Sequence, residues 1–111
     1  MRRSRRRAMT PQQLERLEER MRPSRFIGYE HDSLALHLLQ VGSLDLAESE
    51  LRRAVWLNPF QPRFFRHLAW CLYRKAEYAD ARDWASRALA VNPADGEALR
   101  ILSLIATKAP V

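Results

Sequence analysis

The 111 residues include one cysteine, three glycines and no apolar stretch of spanning length. Each scarcity excludes something. A lone thiol, Cys71, builds no internal disulfide framework and supports no cysteine-rich metal site. Three glycines are few for an all-β chain with many tight turns. No uncharged apolar run approaches the ~20 residues that a membrane-spanning helix needs. There is no glycine-rich phosphate loop, no Cys-x-x-Cys and no His-Glu-x-x-His. The sequence therefore predicts a non-enzyme with no cofactor, no metal and no small-molecule substrate. His31 and His37 stand six apart, on different faces of any helix. His67 and Cys71, four apart, could share a metal but lack further soft ligands. The simpler reading makes Cys71 a small packing residue and His67 a surface or groove residue.

What is present is ordinary in amount and uneven in placement. With 47% apolar and 29% charged residues, the chain reads as one small, soluble, helical domain. The net charge of +6 resides entirely in residues 1–25, where nine arginines face three acids; the other 86 residues carry ten basic and ten acidic side chains. Five of those arginines, Arg2, Arg3, Arg5, Arg6 and Arg7, open the chain. No apolar segment follows them, so they predict no export signal, and a cytoplasmic location suits the single cysteine. A place beside a membrane or a large complex stays open.

An internal repeat organises the rest. Val55-Trp56-Leu57-Asn58-Pro59 returns as Leu89-Ala90-Val91-Asn92-Pro93, 34 residues later. In the same register Leu34-Ala35 meets Leu68-Ala69, Leu38 meets Leu72, Ala47 meets Ala81 and Ala54 meets Ala88. Within each window the apolar residues recur at steps of three and four. Gly42-Ser43 breaks the first window, with Ser43 a candidate N-cap; the second break, at Ala76-Glu77, is softer. Pro59 and Pro93 disfavour helical geometry at Asn58 and Asn92 and close each unit. Helices are expected at about 29–41, 44–57, 62–75, 78–91 and 95–108. A further helix begins at Thr10, with Pro11 at its first position and Gln13 completing a capping box. Leu14, Leu17 and Met21 give it a narrow apolar stripe, and Pro23 ends it. The division is a basic tail (1–9), an N-terminal helix and linker (10–27), two units (28–61 and 62–95) and a partial unit (96–111).

Paired Leu-Ala, a central glycine, an alanine-rich second helix and a closing Asn-Pro resemble tetratricopeptide repeats. The resemblance rests on Leu34-Ala35, Leu38, Gly42, Leu44, Ala47, Leu51, Ala54 and Pro59, then Leu68-Ala69, Leu72, Tyr78, Ala81, Ala85, Ala88 and Pro93. It departs at His31 and Phe65, where the family carries tryptophan, and at Ala76, where an alanine is expected to tolerate a helical turn. The implied fold is an all-α solenoid of helix–turn–helix units with a flanking N-terminal helix. The small residues then serve close helix approach.

In that family the first helix of each unit lines a concave groove that holds a partner segment. The resemblance points Tyr29, Asp32 and Leu36 into it from the first unit, Arg63, Arg66, Trp70, Tyr73 and Arg74 from the second, and Arg100 from the third. Arginine beside tryptophan and tyrosine suits a carboxylate-bearing partner with an apolar anchor. Alternatively, these arginines only solvate the surface and pair with Glu30 or Glu97. Asp32 and Leu36 stand where the family's chaperone-tail binders carry lysine and asparagine, so that specialised activity is not implied. Trp56 and Trp84 fall on the outer face, with Phe60 and Phe64 flanking the inter-unit turn. They either form a second binding face or pack against the N-terminal helix. The functional expectation is a protein–protein adaptor or scaffold within a multi-subunit complex. Two alternatives stand beside it: a nucleic-acid-associated component using the arginine tail, and a small chaperone for a helical client. The tail itself suits an acidic protein, RNA or an anionic membrane surface.

Overall fold

The computed structural model describes residues 8–21 and 26–108. Six helices lie within them: α1 (Pro11–Met21), α2 (Tyr29–Gln40), α3 (Leu44–Leu57), α4 (Pro62–Arg74), α5 (Tyr78–Val91) and α6 (Gly96–Lys108). There is no strand among the described residues. The five helices expected from periodicity fall on α2 to α6 with their ends moved by at most one residue. The fold is all-α and repeat-like. The arginine tail, residues 2–7, lies outside the described residues.

Local chemistry sets the helix ends. At α1, the Thr10 hydroxyl accepts from the Gln13 N–H at 3.1 Å, while Gln13 Oε1 accepts from the Thr10 N–H at 3.0 Å. That reciprocal pair is the expected capping box. Ser43 precedes α3, but its side chain makes no capping bond, so the serine cap expected there is not formed. The turn before it does the work through its backbone. The Ser43 N–H reaches Leu38 O and the Gly42 N–H reaches Leu39 O, with Gly42 at φ +84°. One period later Glu77 reaches Leu72 O, Ala76 reaches Tyr73 O, and Ala76 sits at φ +64°. Both are six-to-one closures with a left-handed residue at the pivot. The second break is therefore not a soft helical turn: Ala76 adopts the left-handed conformation that its glycine counterpart adopts freely. At the unit ends, Asn58 (φ −142°) and Asn92 (φ −136°) leave the helical region, which their following prolines disfavour.

Packing follows the 34-residue register. α2 packs on α3 and α4 on α5; α4 bridges to α2 and α3, and α6 lies on α4 and α5. Ala35, Ala47, Ala54, Ala69, Ala81 and Ala88 are all fully buried, which lets the helices approach closely, and Leu51, Leu68 and Leu72 fill the space between units. Equivalent positions exchange chemistry without moving. His31 Nδ1 lies 2.6 Å from Glu50 Oε2 in the first unit, and one period on, Phe65 and Trp84 meet with ring centroids 5.7 Å apart. Gly28 (φ +92°) marks the tightest junction: a Cβ there would lie 2.9 Å from the Phe64 ring and 3.0 Å from Ala54 O.

Two substitutions test these backbone positions in opposite directions. Ala76→Gly is expected to stabilise the chain by ~0.5–1 kcal/mol by relieving a left-handed alanine. Gly28→Ala combines a positive φ with a backbone clash and is expected to cost more than ~2 kcal/mol. Urea unfolding followed by circular dichroism reads both as a change in midpoint.

Candidate functional site

The residues expected on the inner surface divide between two joints, one joining α2 to α4 and the other joining α4 to α6. At the first, Asp32 is fully buried. Its Oδ2 accepts from Arg63 Nε at 2.9 Å and its Oδ1 lies 2.6 Å from His67 Nδ1. Arg63 also stands over the Tyr29 ring at 5.6 Å, and the Tyr29 hydroxyl accepts from Gln61 Nε2 at 2.8 Å. The Tyr29 ring packs edge-on against Phe64 and Phe26. Arg74 donates to Leu39 O at 2.6 Å, satisfying a carbonyl near the end of α2. Leu36 is half-buried against the core.

This corrects the expectation for Asp32: a carboxylate enclosed by Arg63 and His67 offers nothing to a partner. His67, expected at the surface or groove, is mostly covered and locks the same joint. Arg63 and Arg74 are tied to α2. Each of these bonds crosses from one unit to the next, so they position the inner surface.

The second joint is open. Arg66, Trp70, Glu97, Arg100, Ile101 and Leu104 line a cleft of about 310 Å³ between α4 and α6. Its walls are mostly apolar, with charge at the edge. Arg66 is held by Asp95 Oδ2 at 3.3 Å and Glu97 Oε2 at 3.0 Å. The pairing expected with Glu97 is present, whereas Glu30 pairs with none of the groove arginines. Asp95 also accepts from the Ala98 N–H at 3.1 Å, so it fixes the start of α6 as well as the arginine. Trp70 stacks on Tyr73 with centroids 5.4 Å apart, and Tyr73 leans on Tyr78 at 5.7 Å. Arg100 is exposed and makes no ion pair among the described residues. Of the groove arginines it alone brings an uncommitted guanidinium to the cleft.

The outer-face aromatics part company. Trp56 is 78% exposed and Phe60 82% exposed. Trp84 is half-buried instead, packed against Phe65 with the Arg87 guanidinium 4.4 Å above its ring. Phe64, expected beside the turn, is fully buried at the Gly28 junction. Both are corrections with one cause: neighbouring helices cover them. Trp56 has no α1 against it, since among the described residues α1 packs on no other helix.

Sequence reasoning passed over the cation cluster on the other side of α4. Lys75 Nζ reaches Glu48 Oε1 at 2.6 Å and Asp45 Oδ1 at 2.8 Å, and Arg52 reaches Glu48 Oε2 at 2.7 Å. The hydrogen bonds to Asp45 and Glu48 raise the Lys75 ammonium above its ordinary range. Burial pulls the Glu48 carboxyl upward, but the bonds from Lys75 and Arg52 outweigh it and hold the group below its usual 4.5. Nearby, burial first and the Glu48 charge second push the Cys71 thiol up to about 11, and it donates to Leu44 O at 3.4 Å. That thiol is a packing group with no thiolate to offer at neutral pH. No cluster of three or more metal-ligating side chains occurs among the described residues, and no helix there is long and apolar enough to cross a membrane. In comparisons with known proteins, the chain matches no family model and no curated protein.

Removing the Asp32 carboxylate leaves Arg63 and His67 facing each other across a buried gap. Asp32→Ala is expected to cost ~2–4 kcal/mol in urea unfolding. The Glu48 cluster has a pH signature. Its folded pKa is depressed, so its contribution is present above 4.5 and lost as pH falls through the lowered folded value. The gap in melting temperature between the native chain and Glu48→Gln should therefore be open at pH 7 and close as pH falls below 4.5.

Proposed function

We propose that the protein is a non-enzymatic, tetratricopeptide-like adaptor that holds a segment of a protein partner along its first helices. The observation that carries this reading is the cleft between α4 and α6, with the Trp70, Ile101 and Leu104 side chains as an apolar floor. An aliphatic or aromatic side chain of the partner would enter there, and a carboxylate beside it would meet Arg100. Arg66 is less suited to that role, because Asp95 and Glu97 already neutralise it. Interface energy concentrates in such partly enclosed aromatic pockets rimmed by arginine. The arginine tail would add long-range attraction to an acidic partner without defining the sequence it binds. A cytoplasmic scaffold subunit or assembly factor is the class of protein this describes.

The test is co-purification of the tagged full chain from its source cell, with and without nuclease. Proteins that remain after nuclease support the adaptor reading. Loss of all partners on nuclease treatment would transfer the function to the arginine tail and nucleic acid. Arg100→Glu and Trp70→Ala are expected to lower partner capture ~10-fold or more each. Arg100→Glu should do so at an unchanged melting temperature, because that side chain makes no ion pair among the described residues.

A further inference from the structure

One face of the repeat array lies bare, and the 34-residue register says what fits it. At the joint between units, α4 turns positions 64, 68, 71 and 75 toward α3: Cys71 donates to Leu44 O, and Lys75 pairs with Glu48. The answering stripe on α3 is Leu44, Glu48, Leu51 and Val55. The matching stripe on α2, one period earlier, is Glu30, Leu34, His37 and Val41. No helix covers it. Leu34 is 46% exposed and Val41 62% exposed, while their α4 counterparts Leu68 and Lys75 face a neighbour.

One period before Leu44, Glu48, Leu51 and Val55 stand Thr10, Leu14, Leu17 and Met21. Those positions carry the apolar stripe of α1, whose Leu14 is 47% exposed. The other side of α1 fits the same assignment. Ala47 and Ala54 of α3, and Ala81 and Ala88 of α5, are fully buried in units where each second helix packs on its own first helix. At the equivalent places α1 has Gln13 and Arg20, side chains suited to water. By register, α1 is a second helix without a first: apolar toward the next unit and polar where its own partner would lie.

We propose that α1 docks in cis on the exposed face of α2 as the second helix of a preceding half-unit. The Glu48–Lys75 contact then has its counterpart in Leu14 against Val41, an ion pair replaced by two leftover apolar side chains. Thr10 comes opposite His37, as Leu44 lies opposite Cys71. The tether permits it. Seven residues separate α1 from α2 in sequence, enough chain to bridge the ~8–10 Å between packed helix axes. Holding both faces on one chain keeps the local concentration high, which favours α1 over a free partner of similar chemistry.

Cysteine cross-linking in the full chain tests the register. Leu14→Cys with Val41→Cys is the matched pair, and Leu14→Cys with Glu30→Cys displaces the target ~16 Å along α2. All three sites are exposed, and native Cys71 is buried. Under mild oxidation the matched pair is expected to form an intramolecular disulfide ~10-fold faster than the displaced pair. Equal rates, or no disulfide in the matched pair, would overturn the assignment. Disulfides that form only between chains, faster at higher protein concentration, would give the face to a second copy and also defeat the cis proposal.

Discussion

One buried carboxylate sets how the first unit meets the second. Asp32 has no access to water and stays soluble in the interior only because Arg63 and His67, from the next first helix, both reach it. Charges are costly to bury without such partners, so the three side chains fix the separation and register of α2 and α4. The apolar contacts around them, between alanines and leucines, would tolerate a small slide. The ionic contact would not. It adds definition to a junction that hydrophobic burial alone leaves loose.

The inner surface consequently has two characters. Toward α2 it is closed by bonds the chain makes to itself, through Asp32, Arg63, Arg74, Tyr29 and Gln61. Toward α6 it opens into an apolar cleft with one uncommitted guanidinium at its edge. A run of arginines along α4 reads in sequence as a uniform basic lining. In three dimensions carboxylates neutralise Arg63 and Arg66, Arg74 is tied to a backbone carbonyl of α2, and the guanidinium left at the cleft is Arg100 of α6.

The period, the helix limits and the alanine contacts were legible in the sequence because each has a local or repeating cause. Asn-Pro disfavours helical geometry at its first residue; small side chains at a fixed spacing mark close approach. The buried ionic joint was not legible in that way. Asp32 sits on the expected inner face of its own helix, and its covering groups come 31 and 35 residues later, either side of one period. The cover on Trp84 is hidden in the sequence for a related reason. That cover, Phe65, replaces a polar His31–Glu50 contact, so only a comparison of equivalent pairs across the repeat would have found it. Ala76 shows the converse: the turn geometry prevailed over the residue, which adopts a backbone conformation that its side chain disfavours.

The position of α4 has a consequence for how the molecule opens. Among the described residues it packs against α2, α3, α5 and α6, whereas the end helices α2 and α6 each meet two others. In a linear array of this kind, cooperativity is graded: separating an end helix breaks fewer interfaces than disrupting the middle. Local opening should therefore begin at the ends of the array, α6 among them, and reach α4 last. The cleft lies between an end helix and the most widely packed helix of the array. A segment lodged there would be clasped by one wall that yields and one that does not, and part of its binding free energy would be measured as added stability of α6.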